Sequence, residues 1–232
     1  MASDLPRKSA TLLPGQAIRR GEQMTEGTAN ETNPAGAEFW DARYRTVEAP
    51  WDPEPNPILE AEAAGLPAGK ALEVGCGEGS DAVWLARRGW QVVAVDISQV
   101  ALKRGRQAAP DESIEWRQAD LLDWAPHEKA FDLVVFHFPH FSPADRPLAF
   151  GRLAQAVKPG GRLLFVTHHP LDLQTALRSP PNADWLHTAE DIAALLEPKD
   201  WEILAQDARP RQVKNADGPV HDAVLLARRL PG

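Results

Sequence analysis

The sequence predicts an α/β domain built on a parallel sheet wound with helices, and three observations predict it. From Lys70 onward, apolar runs of strand length alternate with amphipathic helical stretches. The first of these runs ends in a glycine-rich turn, Gly75-Cys76-Gly77-Glu78-Gly79, that leads straight into a helical pattern. Such a turn lets a ligand approach the backbone at the carboxyl edge of the sheet, where open α/β sheets bind ligands. Finally, 232 residues are enough for one domain of this kind with a tail, and too few for two.

The elements follow in order. Residues 1–36 are rich in Ala, Gly, Thr, Pro and charge, with no periodicity long enough to bury a face, and read as a disordered tail. Ala37-Glu38-Phe39-Trp40 opens a short helical stretch, and the prolines between Pro50 and Pro57 forbid a long helix after it. Ala71–Val74 is the first strand, and a helix over about 80–88 turns Ala82, Leu85 and Ala86 toward the sheet. Gln91–Val95 is the second strand, closed by Asp96, with Ser98 placed to cap a helix through Ala108. Ser113–Gln118 and Phe131–Phe136 are strands three and four. Ser142-Pro143 signals a helix start, and that helix runs to Val157 before the turn Lys158-Pro159-Gly160-Gly161 delivers strand five, Arg162–Thr167. Thr188 opens a later helix to Leu196, and Trp201–Ala208 and Val220–Ala227 read as a hairpin around Asp217-Gly218.

Composition narrows the function. A formal net charge of -8 opposes binding to a polyphosphate backbone, so nucleic acid is not the expected partner. No apolar run approaches the roughly 18 residues that cross a bilayer, so no membrane partner is expected. The single cysteine, Cys76, rules out an intrachain disulfide and a multi-cysteine zinc site and suits a reducing, cytoplasmic setting. The segment around Leu12-Leu13 is too short for a secretory signal.

The glycine turn departs from the G-x-G-x-x-G of dinucleotide dehydrogenases, because Gly75, Gly77 and Gly79 alternate and Ser80 stands where a third glycine belongs. Glu73 adds a second departure. A carboxylate there would repel a pyrophosphate and attract an ammonium or sulfonium group. The run Leu72-Glu73-Val74-Gly75-Cys76-Gly77-Glu78-Gly79 resembles the S-adenosylmethionine-binding motif of class I methyltransferases. Asp96 is similar to that family's ribose-binding carboxylate and Asp120 to the residue that receives the adenine amino group; a carboxylate suits both because it accepts several hydrogen bonds. Pro159-Gly160-Gly161 resembles the family's turn before strand five. The resemblance covers residues 37–229 and implies a Rossmann-like, doubly wound sheet of seven mostly parallel strands, the last antiparallel. It implies S-adenosylmethionine as cofactor, held by Glu73, Gly75, Cys76, Gly77, Gly79, Asp96, Ile97, Asp120, Leu121 and Trp51. Within the family the chain looks most like the small tellurite-resistance and thiopurine-type methyltransferases, with residues 37–57 as an N-terminal lid. That likeness implies a small-molecule acceptor with a sulfur, selenium or tellurium nucleophile.

The histidines lie outside the motif. His137 and His140 follow strand four and His168 and His169 follow strand five, which places all four at the cofactor's edge of the sheet. A cluster of imidazoles can bind a metal, and a single one can act as a base; no metal is expected, and His137 and His168 are the candidate bases. His140, His169, Trp40 and Tyr44 are expected on the substrate side, aromatic faces being suited to a sulfonium. His187 and His221 read as structural or exposed, Cys76 as a packed thiol, and Arg43, Arg45 and Arg209 as solvated. Two other readings stand beside methyl transfer: a cofactor-binding protein acting through an interaction surface, and an NAD-dependent oxidoreductase, which Glu73 and the glycine spacing oppose.

Overall fold

A computed structural model of the chain describes residues 36–46, 54–138, 140–173, 186–212 and 218–232. The expected tail up to residue 35, the cofactor candidate Trp51 and the hairpin residue Asp217 lie outside the described residues. Seven strands form one sheet: β1 (Lys70–Val74), β2 (Gln91–Asp96), β3 (Ile114–Gln118), β4 (Phe131–His137), β5 (Val157–His168), β6 (Trp201–Arg211) and β7 (Val220–Arg229), in the order β3-β2-β1-β4-β5-β7-β6. β1 to β5 run parallel and β7 pairs antiparallel with both β5 and β6. This is the sheet the sequence predicts.

Among the described residues six α-helices accompany it: α1 (Ala37–Thr46), α2 (Pro57–Ala63), α3 (Ser80–Arg87), α4 (Gln99–Ala108), α5 (Arg146–Ala156) and α6 (Ala189–Ala193). Side chains alternate across the strands, so Leu72, Val74, Val93, Val95 and Phe136 join one core with Phe150 and Leu153 of α5 and Ile192 of α6. Ala71, Val92, Ala94, Leu133 and Val135 join the other, with Leu59 of α2, Ala82 and Leu85 of α3 and Leu102 of α4. Both faces of the central strands are therefore covered, which explains their continuous apolar runs. Among the described residues, no helix is long and apolar enough to cross a membrane.

Several local readings shift. Ser142-Pro143 begins a turn rather than the helix: the Ser142 hydroxyl donates to Asp145 at 2.6 Å, the Asp145 amide donates to the Ser142 carbonyl, and α5 starts at Arg146 with Pro147 in its first turn. The Pro159-Gly160-Gly161 turn lies inside a longer β5, as an irregularity opposite Phe131–Leu133 of β4. α6 is shorter than expected, although Thr188 caps it as read, in a capping box with Asp191. α2 goes beyond the sequence reading. The last proline of the cluster, Pro57, is its first residue, and the Asn56 side chain accepts the Ile58 amide at 2.9 Å.

Candidate active site

Strand parity assembles the site. Glu73 lies on the same face as Ala71, Asp96 on that of Val92 and Ala94, and His137 on that of Leu133 and Val135, so all three project from the carboxyl edge toward the side covered by α3. α3 contributes Asp81 in its first turn. The glycine turn crosses above them with Gly75, Gly77 and Gly79 at φ 70, 55 and 82. Two of these glycines are required for different reasons. A Cβ at Gly75 meets nothing nearer than 3.8 Å, so its need is conformational, while a Cβ at Gly79 would fall 2.3 Å from the Trp116 indole. That indole also lies 2.6 Å from where a Cβ on Gly105 of α4 would stand, so it fills a slot between two glycines.

The carboxylates are unusually enclosed. Glu73 is 4% exposed, and its Oε2 has no hydrogen-bond partner among the described residues. Burial, with Asp81 and Asp96 close by, pushes its carboxyl well above the usual range. Asp96 accepts the Gly77 amide at 2.8 Å and the Ser98 amide at 2.7 Å. Its carboxyl is raised by burial and partly restored by those two amides. Each of its oxygens keeps a second lone pair for a ligand hydroxyl. Asp120 lines a cleft of about 370 Å³ with Ile97, Gln118, Ala119, Asp123 and Ala37 of α1, at the ends of β2 and β3. One Asp120 oxygen accepts the Leu122 amide at 2.8 Å. Ile97 stands on this cleft. Leu121 does not: its side chain is 3% exposed and packs in the core shared with α5. Cys76 is buried, its Sγ pointing at the Gly77 carbonyl, and burial and then Glu73 push its thiol up, as suits packing and not nucleophilic attack.

The four histidines do not converge on one centre. His137 Nδ1 lies 2.7 Å from Asp81 Oδ2, and its Nε2 is buried with no hydrogen-bond partner among the described residues. His168 stacks on Phe138 at 4.5 Å between centroids, with Nδ1 4.0 Å from Asp222. His140 meets Trp40 of α1 at 5.1 Å, and burial and then Arg43 push it down to about 4. His169 turns away to its own chain, where Nδ1 accepts the Leu171 amide at 3.1 Å. His187 is 2% exposed against Phe150, and His221 pairs with Asp172 at 3.0 Å, both structural as read. Among the described residues no group of three or more His, Cys, Asp or Glu is arranged to hold a metal ion.

α1 closes over this edge. Asp41 accepts the Ser98 hydroxyl at 2.6 Å and the Val100 amide at 3.1 Å, fastening the helix to the first turn of α4. Tyr44 is buried, with its ring centroid 6.5 Å from that of Trp40. Arg209 is not simply solvated: it pairs with Glu62 and Asp207. Sequence reasoning missed Asp81 and Asp41. For Asp41 no signal distinguished it from an ordinary helix-surface carboxylate, and for Asp81 only its place in the turn's helix did.

Comparison with known proteins agrees with this geometry. Residues 71–161 match a family model described as a methyltransferase domain. The probable thiol methyltransferase 2 of Arabidopsis thaliana is 35% identical over 134 residues, 54% of this chain and 59% of that protein, so the match spans less than two thirds of the relative. Thiocyanate methyltransferase 1 of Brassica oleracea is 27% identical over 188 residues, 77% of this chain and 80% of that protein. A solved structure described with the conversion of a disulfide bond into a thioacetal group during echinomycin biosynthesis superposes with a TM-score of 0.68 at 26% identity, covering 84% of this chain and 92% of that one. By motif, sheet topology and relatives together, the chain is similar to the class I S-adenosylmethionine-dependent methyltransferases, with a methyltransferase domain matched over residues 71–161.

Proposed function

We propose that the protein methylates the sulfur of a small thiol, or a comparably soft nucleophile, in the cytoplasm, using S-adenosylmethionine. The observation that carries the reading is a pair of buried orphan atoms, Glu73 Oε2 and His137 Nε2, on one face beside the glycine turn. A buried acceptor without a partner is costly unless a ligand supplies one. A cationic cofactor end matches Glu73, and an acceptor's proton matches the imidazole. The donor set also fits the cofactor: Gly75, Gly77 and Gly79 offer backbone, Asp96 would accept ribose hydroxyls, and Ile97 and Asp120 line the cleft that would take the purine. When bound, the cofactor supplies a methyl group already activated on a sulfonium.

The chain's own work is then to align, desolvate and take a proton. Trp40, His140 and His168 wall the acceptor side, and α1 excludes water from it. The thiol and thiocyanate names of two relatives support sulfur as the methylated atom. The net charge of -8 favours a small acceptor over a polyphosphate. Turnover by the purified protein against alkyl thiols, arenethiols, thiocyanate, selenite, tellurite and phenols tests this, with calorimetry against S-adenosylmethionine and NAD alongside. Cofactor binding with no turnover of any acceptor would overturn the transferase reading in favour of a binding protein.

A further inference from the structure

We propose that Asp81 is the positioning residue that sets the tautomer of His137, so that Nε2 presents a lone pair to the acceptor. The inference rests on the reading of His137 as the acceptor-side base. Asp81 Oδ2 and His137 Nδ1 lie 2.7 Å apart, with side chains 11% and 8% exposed, so the contact is made almost entirely out of water. A carboxylate has no proton to give, and the proton of this bond therefore sits on Nδ1. Nε2 is left as the bare nitrogen, and it is buried with no hydrogen-bond partner among the described residues.

Asp81 is itself held. Its second oxygen, Oδ1, accepts the Asn56 amide at 2.7 Å, so the cap of α2 and the first turn of α3 together fix the carboxylate plane. The positive end of α3 favours a negative charge there. In the reaction, the acceptor sulfur forms its bond to the methyl carbon while its S–H proton passes to His137 Nε2. The electron pair of the broken sulfonium bond stays on the cofactor sulfur. The imidazolium that results is paired with Asp81 until its proton leaves to solvent. This is the arrangement in which a carboxylate orients a histidine base without itself taking the proton.

The geometry makes Asp81→Asn a sharp probe. The Asn56 amide needs an acceptor, so the asparagine oxygen must stay on that side, which turns its NH2 toward His137 Nδ1. An N–H donor at Nδ1 moves the ring proton to Nε2 and removes the lone pair the acceptor requires.

Ring ¹⁵N NMR on the cofactor-free protein, with the His137 signal assigned through His137→Gln, should show the Nδ1–H tautomer in the wild type and Nε2–H in Asp81→Asn. Rates should separate acceptors by ionisation. The variant's loss on an alkyl thiol, which must shed a proton, should exceed its loss on an already ionised nitrothiophenolate by about 10²-fold, the scale of general-base catalysis. A wild-type spectrum with Nε2–H, or equal losses on both acceptors, overturns the proposal. If the wild type methylates no thiol, the sulfur reading fails by itself, and the wild-type ring spectrum still decides the Asp81–His137 pairing without any variant.

Discussion

Replacing Gly79 by Ala separates the two reasons for a glycine in the binding turn. At φ 82 an alanine pays the left-handed penalty of about 1–2 kcal/mol. Its Cβ would also stand 2.3 and 2.6 Å from ring carbons of Trp116. That indole is backed by Gly105 and cannot slide deeper, so overpacking adds about 1–3 kcal/mol. The total, about 2–5 kcal/mol, should be read by urea unfolding with the slope held constant. Gly75→Ala is the internal control. Its φ is 70, but its Cβ would meet nothing within 3.8 Å, so it should cost only the conformational part. In a Trp116→Ala background the Gly79→Ala cost should fall to about 1–2 kcal/mol, the conformational part alone. If Gly79→Ala costs the same with and without Trp116, the indole is not wedged in the glycine slot and the reasoning fails.

Three further outcomes follow from the buried charges. Burial and its acidic neighbours push the Glu73 carboxyl up, and a cationic ligand favours the ionised form. S-adenosylmethionine binding should therefore release protons, and its affinity should climb with pH toward the raised Glu73 value; calorimetry in buffers of different ionisation enthalpy should detect this in the wild type and not in Glu73→Gln. Asp96→Ala should weaken cofactor binding by at least tenfold, roughly the worth of one charge-assisted bond, while also lowering the urea midpoint because the Gly77 and Ser98 amides lose their acceptor. An unchanged dissociation constant would remove Asp96 from the nucleoside site. His187, buried beside Phe150 and Arg146, is pushed down to about 4 by burial and then by Arg146. Its folded value lies below its unfolded one, so the stability it contributes is complete above about pH 6.5 and is lost as pH falls toward 4, up to about 3 kcal/mol. The raised carboxyls of Glu73 and Asp96 act in the opposite sense. The test is therefore the difference in unfolding free energy between wild type and His187→Gln across that window, which should stay flat if His187 keeps its ordinary value.

Much of the sheet was legible because burial on both faces leaves apolar runs that no other element of this length explains. Ser98 and Thr188 were legible as caps because a cap is a local bond to an amide three residues on. The start of α5 was misplaced because Ser-Pro opens turns as readily as helices, and the geometry of Asp145 rather than the residue type decides between them. α2 was hidden by its own prolines, although an Asn-Pro pair is a start signal once the residues after it are seen to be apolar. Leu121 shared a stretch of chain with Asp120 but not its direction. Asp81 and His137 are 56 positions apart, and their meeting depends on β1 and β4 pairing in one register, with Glu73 opposite Val135. A local motif carries no information about such a register. The glycine slot around Trp116 was illegible for the same reason, since three separate elements close it.

The placement of α1 has a kinetic consequence. One ten-residue helix forms part of the wall of the cleft at the ends of β2 and β3 through Ala37, touches His140 through Trp40, and is pinned between them by Asp41 on Ser98 and Val100. A segment that borders both compartments cannot swing aside for one without uncovering the other. If the nucleoside and the acceptor occupy these two sides, loading of one and exchange of the other would share a single opening event. The rate at which Asp41 releases Ser98 and Val100 would then be a ceiling on turnover common to every acceptor.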